Sequence, residues 1–383
     1  ADATRKQMAL ERAQSVERNK AFHDEMGRQN RLITLRYALY DVSAVANSAS
    51  QATLGFASAV IQAQMAQEKA FSQIEKTQVG TETTTAQLKE LKNELIALST
   101  EIPVSFDELS KIGMLGAQLG VMAPDLAQFT ETVAKFSAIT GVSVEETAMG
   151  FGKVASLLGL AGDQYQSLGS AIAKVGVSSA ATESQIINTA GQIGAVAKAA
   201  GFSASQIIGL SSAMASLKIS PEEARGVLIP TFHAMDAAVR SFSKNIGSGG
   251  EQLRIFAEIA GISQEEFATQ WGDRSNGGAG KVWEKFVRGL GRTDAGAALN
   301  RLGLDGNRTS KGLTALGNNA QFVFEQIKTA AAAGMSGTFL DESAGKIIED
   351  LAAKFTMLQN SFENLTAAAG SSPQFIAVIG TII

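Results

Sequence analysis

The stretch from Leu32 to Ile74 reads LITLRYALYDVSAVANSASQATLGFASAVIQAQMAQEKAFSQI, and its apolar and small residues recur at alternating spacings of three and four. This spacing is typical of a long helix that buries only a narrow stripe of its surface. The same register returns between Leu88 and Ile102. An unbroken helix of that span would be roughly 100 Å long, at about 1.5 Å per residue. The pattern therefore predicts an all-α protein with long, coiled-coil-like helices.

The stripe has a plausible interruption at Gly80 and the threonines that follow it. An interrupted helical rod, a helical hairpin and several ordinary amphipathic helices that share a phase all fit this pattern. A second seam of the same spacing begins after Asp341 and ends at Gly370. Because a helix with a narrow apolar face needs partners, we expect a homo-oligomer held along both seams. The expected seam residues are Leu32, Leu35, Leu39, Val42, Phe56 and Val60 in the first seam and Ile348, Leu351, Phe355, Leu358, Phe362 and Leu365 in the second.

The composition favours closely packed helices over a large aromatic core. Aromatic residues make up 6% of the 383 residues and charged residues 18%, while 38 glycines stand against only 5 prolines. Small side chains let helices approach one another closely, and the length predicts more than one structural region. The net charge of -4 gives no electrostatic basis for wrapping nucleic acid, so no sequence-specific nucleic-acid partner is expected.

A different sequence pattern begins at Pro103, in which apolar segments of about a dozen residues alternate with turns that contain glycine. No run of β-branched residues alternates with polar ones, so strands are not expected. The glycines between 243 and 312 favour exposed loops there. The predicted regions are a charged polar helix (1–31), a long heptad helix or hairpin (32–102), a core of short helices (103–242), a glycine-rich region of helices and loops (243–312), and helices with the second seam that lead into an apolar segment (313–383).

Helix starts in the core are marked by Ser or Thr followed three residues later by Glu or Gln, the pattern of a capping box. The serines expected to be N-caps are Ser143, Ser203, Ser220 and Ser263. Within the helix that Ser220 begins, Pro230 is expected to kink or split the chain near Gly226, because its ring clashes with a preceding carbonyl.

The side chains needed for catalysis or metal binding are scarce. The chain has no cysteine and two histidines, His23 and His233, in unrelated settings. The stretch that ends Gly278-Ala279-Gly280-Lys281 is similar to a phosphate-binding loop, but it has Val282 where that loop needs Ser or Thr. Trp271 and Trp283 are expected to be core anchors. The sequence therefore predicts no catalytic residue, no metal site, no cofactor and no enzymatic activity.

The region from about Phe71 to Phe242 resembles the core of phage tail tape measure proteins. The similarity is carried by three patterns in which one helix ends and the next begins, with an apolar residue and a serine at the start of the second helix. They are Ile139-Thr140-Gly141 with Val142 to Ala148, Ala200-Gly201-Phe202-Ser203 with Ile207 to Leu210, and Ile219-Ser220-Pro221-Glu222-Glu223-Ala224-Arg225-Gly226, after which Val227 replaces the family's usual Thr. Leu358 to Gly370 with Pro373 is similar to the helix and Gly-Pro exit that follow this core and lead to membrane-seeking segments.

The resemblance implies an extended structural ruler in the lumen or tip of the phage tail. Such a protein sets tail length during assembly, leaves ahead of the DNA and assists its passage across the host envelope. The implied partners are tail tube and tail tip proteins, tail assembly chaperones, the host membrane and further copies of the chain, three being the number that the family suggests.

Two other classes remain open from the residues alone. A membrane-active helical pore-forming protein would also combine low charge with the apolar C-terminal run from Phe375 to Ile383. Some tape measure proteins resemble carriers of enzymes that cut the cell wall, but no such domain is visible within these residues. The chain starts without Met and stops inside an apolar run, so we expect it to be part of a longer protein.

Overall fold

The computed structural model describes residues 50–78, 83–244, 249–273, 277–292 and 294–370. These residues form seventeen helices and no strand, which confirms the prediction of an all-α fold. In chain order the first nine are α1 (Ser50–Gln78), α2 (Thr85–Glu101), α3 (Phe106–Gln118), α4 (Ala123–Thr140), α5 (Val144–Leu158), α6 (Gln164–Val177), α7 (Glu183–Ala199), α8 (Ala204–Ser216) and α9 (Pro221–Ser243). The remaining eight are α10 (Gly249–Ala260), α11 (Gln264–Gly272), α12 (Gly278–Leu290), α13 (Ala295–Arg301), α14 (Asn307–Asn318), α15 (Ala320–Ser336), α16 (Phe339–Ile348) and α17 (Leu351–Gly370).

The chain divides into two compact units. The first comprises Ala1–Gln67 with Phe362–Ile383, and the second comprises Glu68–Ser361. In the described part of the first unit, the Gln67 side chain of α1 donates a hydrogen bond to Asn364 of α17, with 2.7 Å between Nε2 and Oδ1. Helix α1 is the longest of the described helices at 29 residues, and it ends at Gln78, before the expected interruption.

The second unit is built around α15, which packs most extensively on α8 and α6. The contact with α8 is very close, because a Cβ added to Gly209 would lie 2.6 Å from the backbone nitrogen of Ile327. One polar contact crosses the same interface, where Ser212 Oγ donates to Gln326 Oε1 at 3.1 Å and both side chains are buried. Small residues on α8 thus allow the central helix to sit within the core.

Six corners between the described helices follow one local design, the Schellman motif. The residue after the helix takes positive φ, and the next amide donates to the carbonyl five residues before it, as in Phe202 N to Ala197 O at 3.0 Å. The same bond is made by the amides of Val121, Leu160, Ile219, Ile262 and Leu304. In five of these six corners the positive-φ residue is glycine, and in the sixth it is Lys218, with φ of 61°.

Helix α9 contains Pro230 but continues from Pro221 to Ser243 without a break. Proline has no N–H, so it cannot donate the helical hydrogen bond to the carbonyl of Gly226. That carbonyl instead accepts from the side chain of Thr309 in α14, with 3.2 Å between Oγ1 and O. The expected splitting of the helix does not occur, because a hydroxyl from another helix replaces the missing donor.

The region from 243 to 312, expected to hold exposed loops, consists mainly of α10 to α13 and the start of α14 among its described residues. Its glycines include sites of close helix contact: a Cβ on Gly289 would collide with the carbonyl of Ile259, and one on Gly291 would collide with the carbonyl oxygen of Gly317. Trp271 and Trp283 are fully buried in this region, as expected of core anchors.

Candidate functional site

The last of the described helices, α17, buries a face made of small and polar residues. Ala353, Asn360 and Ala367, which are seven residues apart, are buried. Asn360 Nδ2 donates to the backbone carbonyls of Ser99 at 2.9 Å and Val104 at 3.0 Å. These two bonds hold this part of α17 against the end of α2 and the turn that follows it, because a buried amide without hydrogen-bond partners destabilises the fold.

The opposite face of α17 carries large apolar side chains that are exposed and that none of the other described helices covers. Leu351 is 82% exposed, Phe355 68%, Leu358 65% and Phe362 63%. These positions are four, three and four residues apart, so they form one stripe along the helix. Ile348 and Leu365, which lie in the same register, are partly buried. A contiguous row of exposed Leu and Phe is uncommon on a soluble monomer and marks an interaction surface.

The first seam has a different outcome. Val60 is fully buried within the single chain, so its side chain faces the protein itself in this structure, and its membership of an oligomer seam stays a prediction. Farther along α1, Ile74 is also fully buried. Spacing cannot distinguish a seam buried by the chain itself from one that awaits a partner. Leu32, Leu35, Leu39 and Val42, as well as the side chain of Phe56, lie outside what the structure describes.

All four predicted cap serines are N-caps of helices, but only two of them form a complete capping box. Ser203 and Ser220 form complete capping boxes with Gln206 and Glu223, whereas Ser143 and Ser263 accept only the backbone N–H three residues on. The missing halves are explained by competing partners, which are Ser184 for Glu146 at 3.0 Å and Lys285 for Glu266 at 2.6 Å. These caps position the helices and hold no reactive group.

Two carboxyl groups in the first turns of capped helices, Glu223 and Glu266, have lowered pKa values. The backbone N–H of Ser220 donates to Glu223 and lowers the pKa of that carboxyl, with a further contribution from the Ser220 hydroxyl. The hydrogen bond from Lys285 lowers the pKa of Glu266. Both shifts favour the charged form at the first turn of a helix, where negative charge is stabilised by the helix dipole.

The glycine-rich stretch before α12 has a structural explanation. Gln206 Nε2 donates to the carbonyl of Gly277 at 3.3 Å, and a Cβ on Gly280 would lie 2.6 Å from Gln206 Oε1. The glycines therefore make room for the side chain that also completes the Ser203 box. Among the described residues, no group of three or more His, Asp or Glu is placed to hold a metal ion.

The described residues also form an open groove of about 530 Å³ between α6, α15 and α16. Its charged lining consists of Lys174, Lys328, Glu325 and Glu342, so the charges balance. Lys174 lies over the ring of Phe339, 4.8 Å from its centroid. The groove therefore lacks the single-sign charge or converging polar groups that would identify a ligand. None of the described helices is both long enough and apolar enough to cross a membrane.

Comparison with known families identifies the chain. Residues 92–302, more than half of it, match the family described as phage-related minor tail protein. The chain belongs to this family. It is therefore a structural protein of the phage tail, located in the tail of the virion and associated with other tail components. No curated protein and no solved structure gives a significant match.

This minor tail protein matches its family over a longer stretch than the sequence resemblance covered. The match begins within α2 and ends at the end of α13, so it includes the glycine-rich region beyond Phe242. It stops before α14 to α17. The exposed apolar row on α17 consequently lies outside the part of the chain that the family defines.

Proposed function

We propose that this minor tail protein is a tape measure protein, which sets tail length, occupies the lumen or tip of the tail tube and assists DNA ejection across the host envelope. The observation that carries the proposal is the row of exposed Leu and Phe on α17, in a chain that belongs to the phage-related minor tail protein family. A ruler needs helices that associate along a seam with a fixed rise per residue, and this row supplies such a seam.

The partner of the α17 row is a further copy of the chain. Positions that flank the row carry one charge, Lys354, with Ser361 and Gln359 at equivalent places, so identical helices can pair without strong repulsion. Three copies follow from the resemblance to tape measure proteins. Leu32, Leu35, Leu39, Val42, Phe56 and Val60 remain proposed members of the first seam.

Association is tested by placing charges in the row. Burying one Leu or Phe contributes about 1.5–3 kcal/mol, so exchanging Leu351 and Phe355 for Asp should weaken association by at least about a hundredfold. The matched control exchanges Val177 and Met335 for Asp, because these side chains are 74% and 89% exposed and lie on α6 and α15. Light scattering should find oligomers for the unmutated chain and the control, and monomers for the seam variant. A monomeric unmutated chain at high concentration refutes the seam.

The proposed role in setting tail length is tested by measuring the tails of assembled phage particles. Duplicating residues 50–70 adds three heptads and preserves the register, which should lengthen the tail by about 30 Å at 1.5 Å per residue. Electron microscopy measures the tails, and a duplication of the short loop 160–163 is the control for a disturbance of assembly alone. Normal tails of unchanged length in the heptad variant would contradict the proposal.

A further inference from the structure

The junction between α16 and α17 contains only two residues, Glu349 and Asp350. The amide of Asp350 donates to the carbonyl of Ile347, three residues back, at 3.0 Å. The first four-residue helical bond of α17 joins Lys354 N to Asp350 O at 3.0 Å. The helical pattern is thus interrupted by a single tight turn.

The sequence does not require this interruption. Residues 346–353 read KIIEDLAA and include neither glycine nor proline. The apolar spacing also continues through the junction, since Ala344 and Ile348 precede Leu351 by seven and three residues. The composition and register of this stretch are compatible with one continuous helix. The break between α16 and α17 therefore has its origin in contacts that α16 makes with other helices.

A polar cluster holds the first turn of α16 against α4 and α6. Asp341 accepts from Lys135 at 2.6 Å and from Gln166 at 2.5 Å. Ser170 links both ends of this turn, because its hydroxyl donates to Gly337 O at 2.9 Å and accepts from Leu340 N at 3.2 Å.

Apolar burial supplements the polar cluster. Leu340 is fully buried, and its Cδ2 lies 3.1 Å from where a Cβ on Gly169 would stand. Ala344 is buried as well. Both residues lie at or beside the seam register of α17, but they are buried in the core of the single chain. The exposed seam of α17 therefore does not extend into α16 in this structure.

We propose that α16 is a latch, whose release from Lys135, Gln166 and Ser170 joins it to α17 in one helix and lengthens the seam by one heptad. This inference rests on the seam proposed above as the site of self-association. A partner copy would favour the joined helix, because Ala344 and Ile348 enter the seam and Leu340 flanks it only in that state.

The test reads the backbone of the junction directly. In the latched state the amides of Leu351 and Ala353 have no helical acceptor and exchange hydrogen quickly, whereas in a joined helix they bond to residues 347 and 349. The double variant Leu340→Gln with Asp341→Ala weakens the hold on α16, because it removes the contacts of Asp341 with Lys135 and Gln166 and the apolar burial of Leu340 and leaves only the hydrogen bonds to the backbone of Gly337 and Leu340. We expect exchange at Leu351 and Ala353 to slow by about tenfold or more.

Two further variants separate the latch from other effects. Glu342→Ala, an exposed neighbour in the same turn, should leave exchange unchanged. Ala352→Pro is compatible with the first turn of α17 but cannot lie inside a continuous helix, so adding it to the double variant should restore fast exchange at Leu351. Continued fast exchange in the double variant, with lower helix content by circular dichroism, would mean that α16 only melts and would overturn the proposal.

The measurement uses the Phe355→Asp background, in which the seam cannot associate. A slowed exchange there supports the latch even if the unmutated chain proves monomeric. Conversely, if the unmutated chain is oligomeric but exchange in the Phe355→Asp background is not slowed by the double variant, the latch is refuted and the seam is retained.

Discussion

Replacing Gly209 by Ala should separate the two helices at the centre of the second unit. An added Cβ would lie 2.6 Å from the backbone nitrogen of Ile327 and 2.8 Å from the carbonyl oxygen of Gln326. Carbon atoms in ordinary contact are about 3.5–4 Å apart, and backbone atoms cannot rotate away as a side chain can. Helices α8 and α15 must therefore move apart by about 1 Å.

Overpacking of this kind costs about 1–3 kcal/mol, and the higher helix propensity of Ala recovers up to about 1 kcal/mol. The net loss should be about 1–2 kcal/mol, part of it from the buried Ser212–Gln326 hydrogen bond. The assay is urea unfolding followed by circular dichroism, which gives the free energy of unfolding where the transition is two-state.

The matched control is Gly191→Ala in α7. The nearest atoms to a Cβ there are Lys153 Cδ and Cε at 3.9 Å, an ordinary contact. This variant should be stabilised by about 0.5–1 kcal/mol, because Gly in mid-helix is unfavourable relative to Ala. Equal effects of the two substitutions would show that the close approach at Gly209 does not govern its cost, and would refute the reasoning.

Three other outcomes are expected. Lys218→Gly should raise the free energy of unfolding by about 0.5–1 kcal/mol in urea titrations, because positive φ is strained for Lys; a loss would contradict this. Asn360→Ala should cost about 1–3 kcal/mol and speed amide exchange in α17, since it removes both hydrogen bonds to the end of α2; unchanged exchange would count against the anchor. The lowered pKa of Glu266 means that its bond to Lys285 stabilises the fold above pH about 4.5, the ordinary value, and that this contribution is lost as pH falls through the lower folded pKa; Lys285→Met should reduce the acid dependence of thermal unfolding, and an unchanged dependence would reject it.

The local features of the fold could be predicted because short sequences determine them. The cap serines Ser203 and Ser220 and the absence of strands follow from patterns of four to twelve residues. The half-formed caps could not be predicted, because Glu146 and Glu266 bind Ser184 and Lys285. Those partners are distant in the sequence, and only tertiary packing brings them close.

The apolar rows show the limit of periodicity. The same spacing describes Val60, which is buried, and Phe355, which is exposed. What separates them is the environment that the rest of the chain supplies, and Asn360 on the opposite face of α17 gave no sign in the sequence that it would be the buried side. Likewise, the glycines near Gln206 were similar to a ligand loop until the side chain that occupies the space was known.

The Schellman corners have a kinetic consequence. Each is closed by a hydrogen bond between residues five apart, as in Ile262 N to Ala257 O. Loops of this size close in well under a microsecond, and topologies dominated by local contacts fold fastest. The two helices on either side of each of these six corners can consequently set their relative direction as they leave the ribosome, before later helices exist. We expect a chain of this design to recover its corners quickly whenever it is pulled open, because none of them depends on a distant segment.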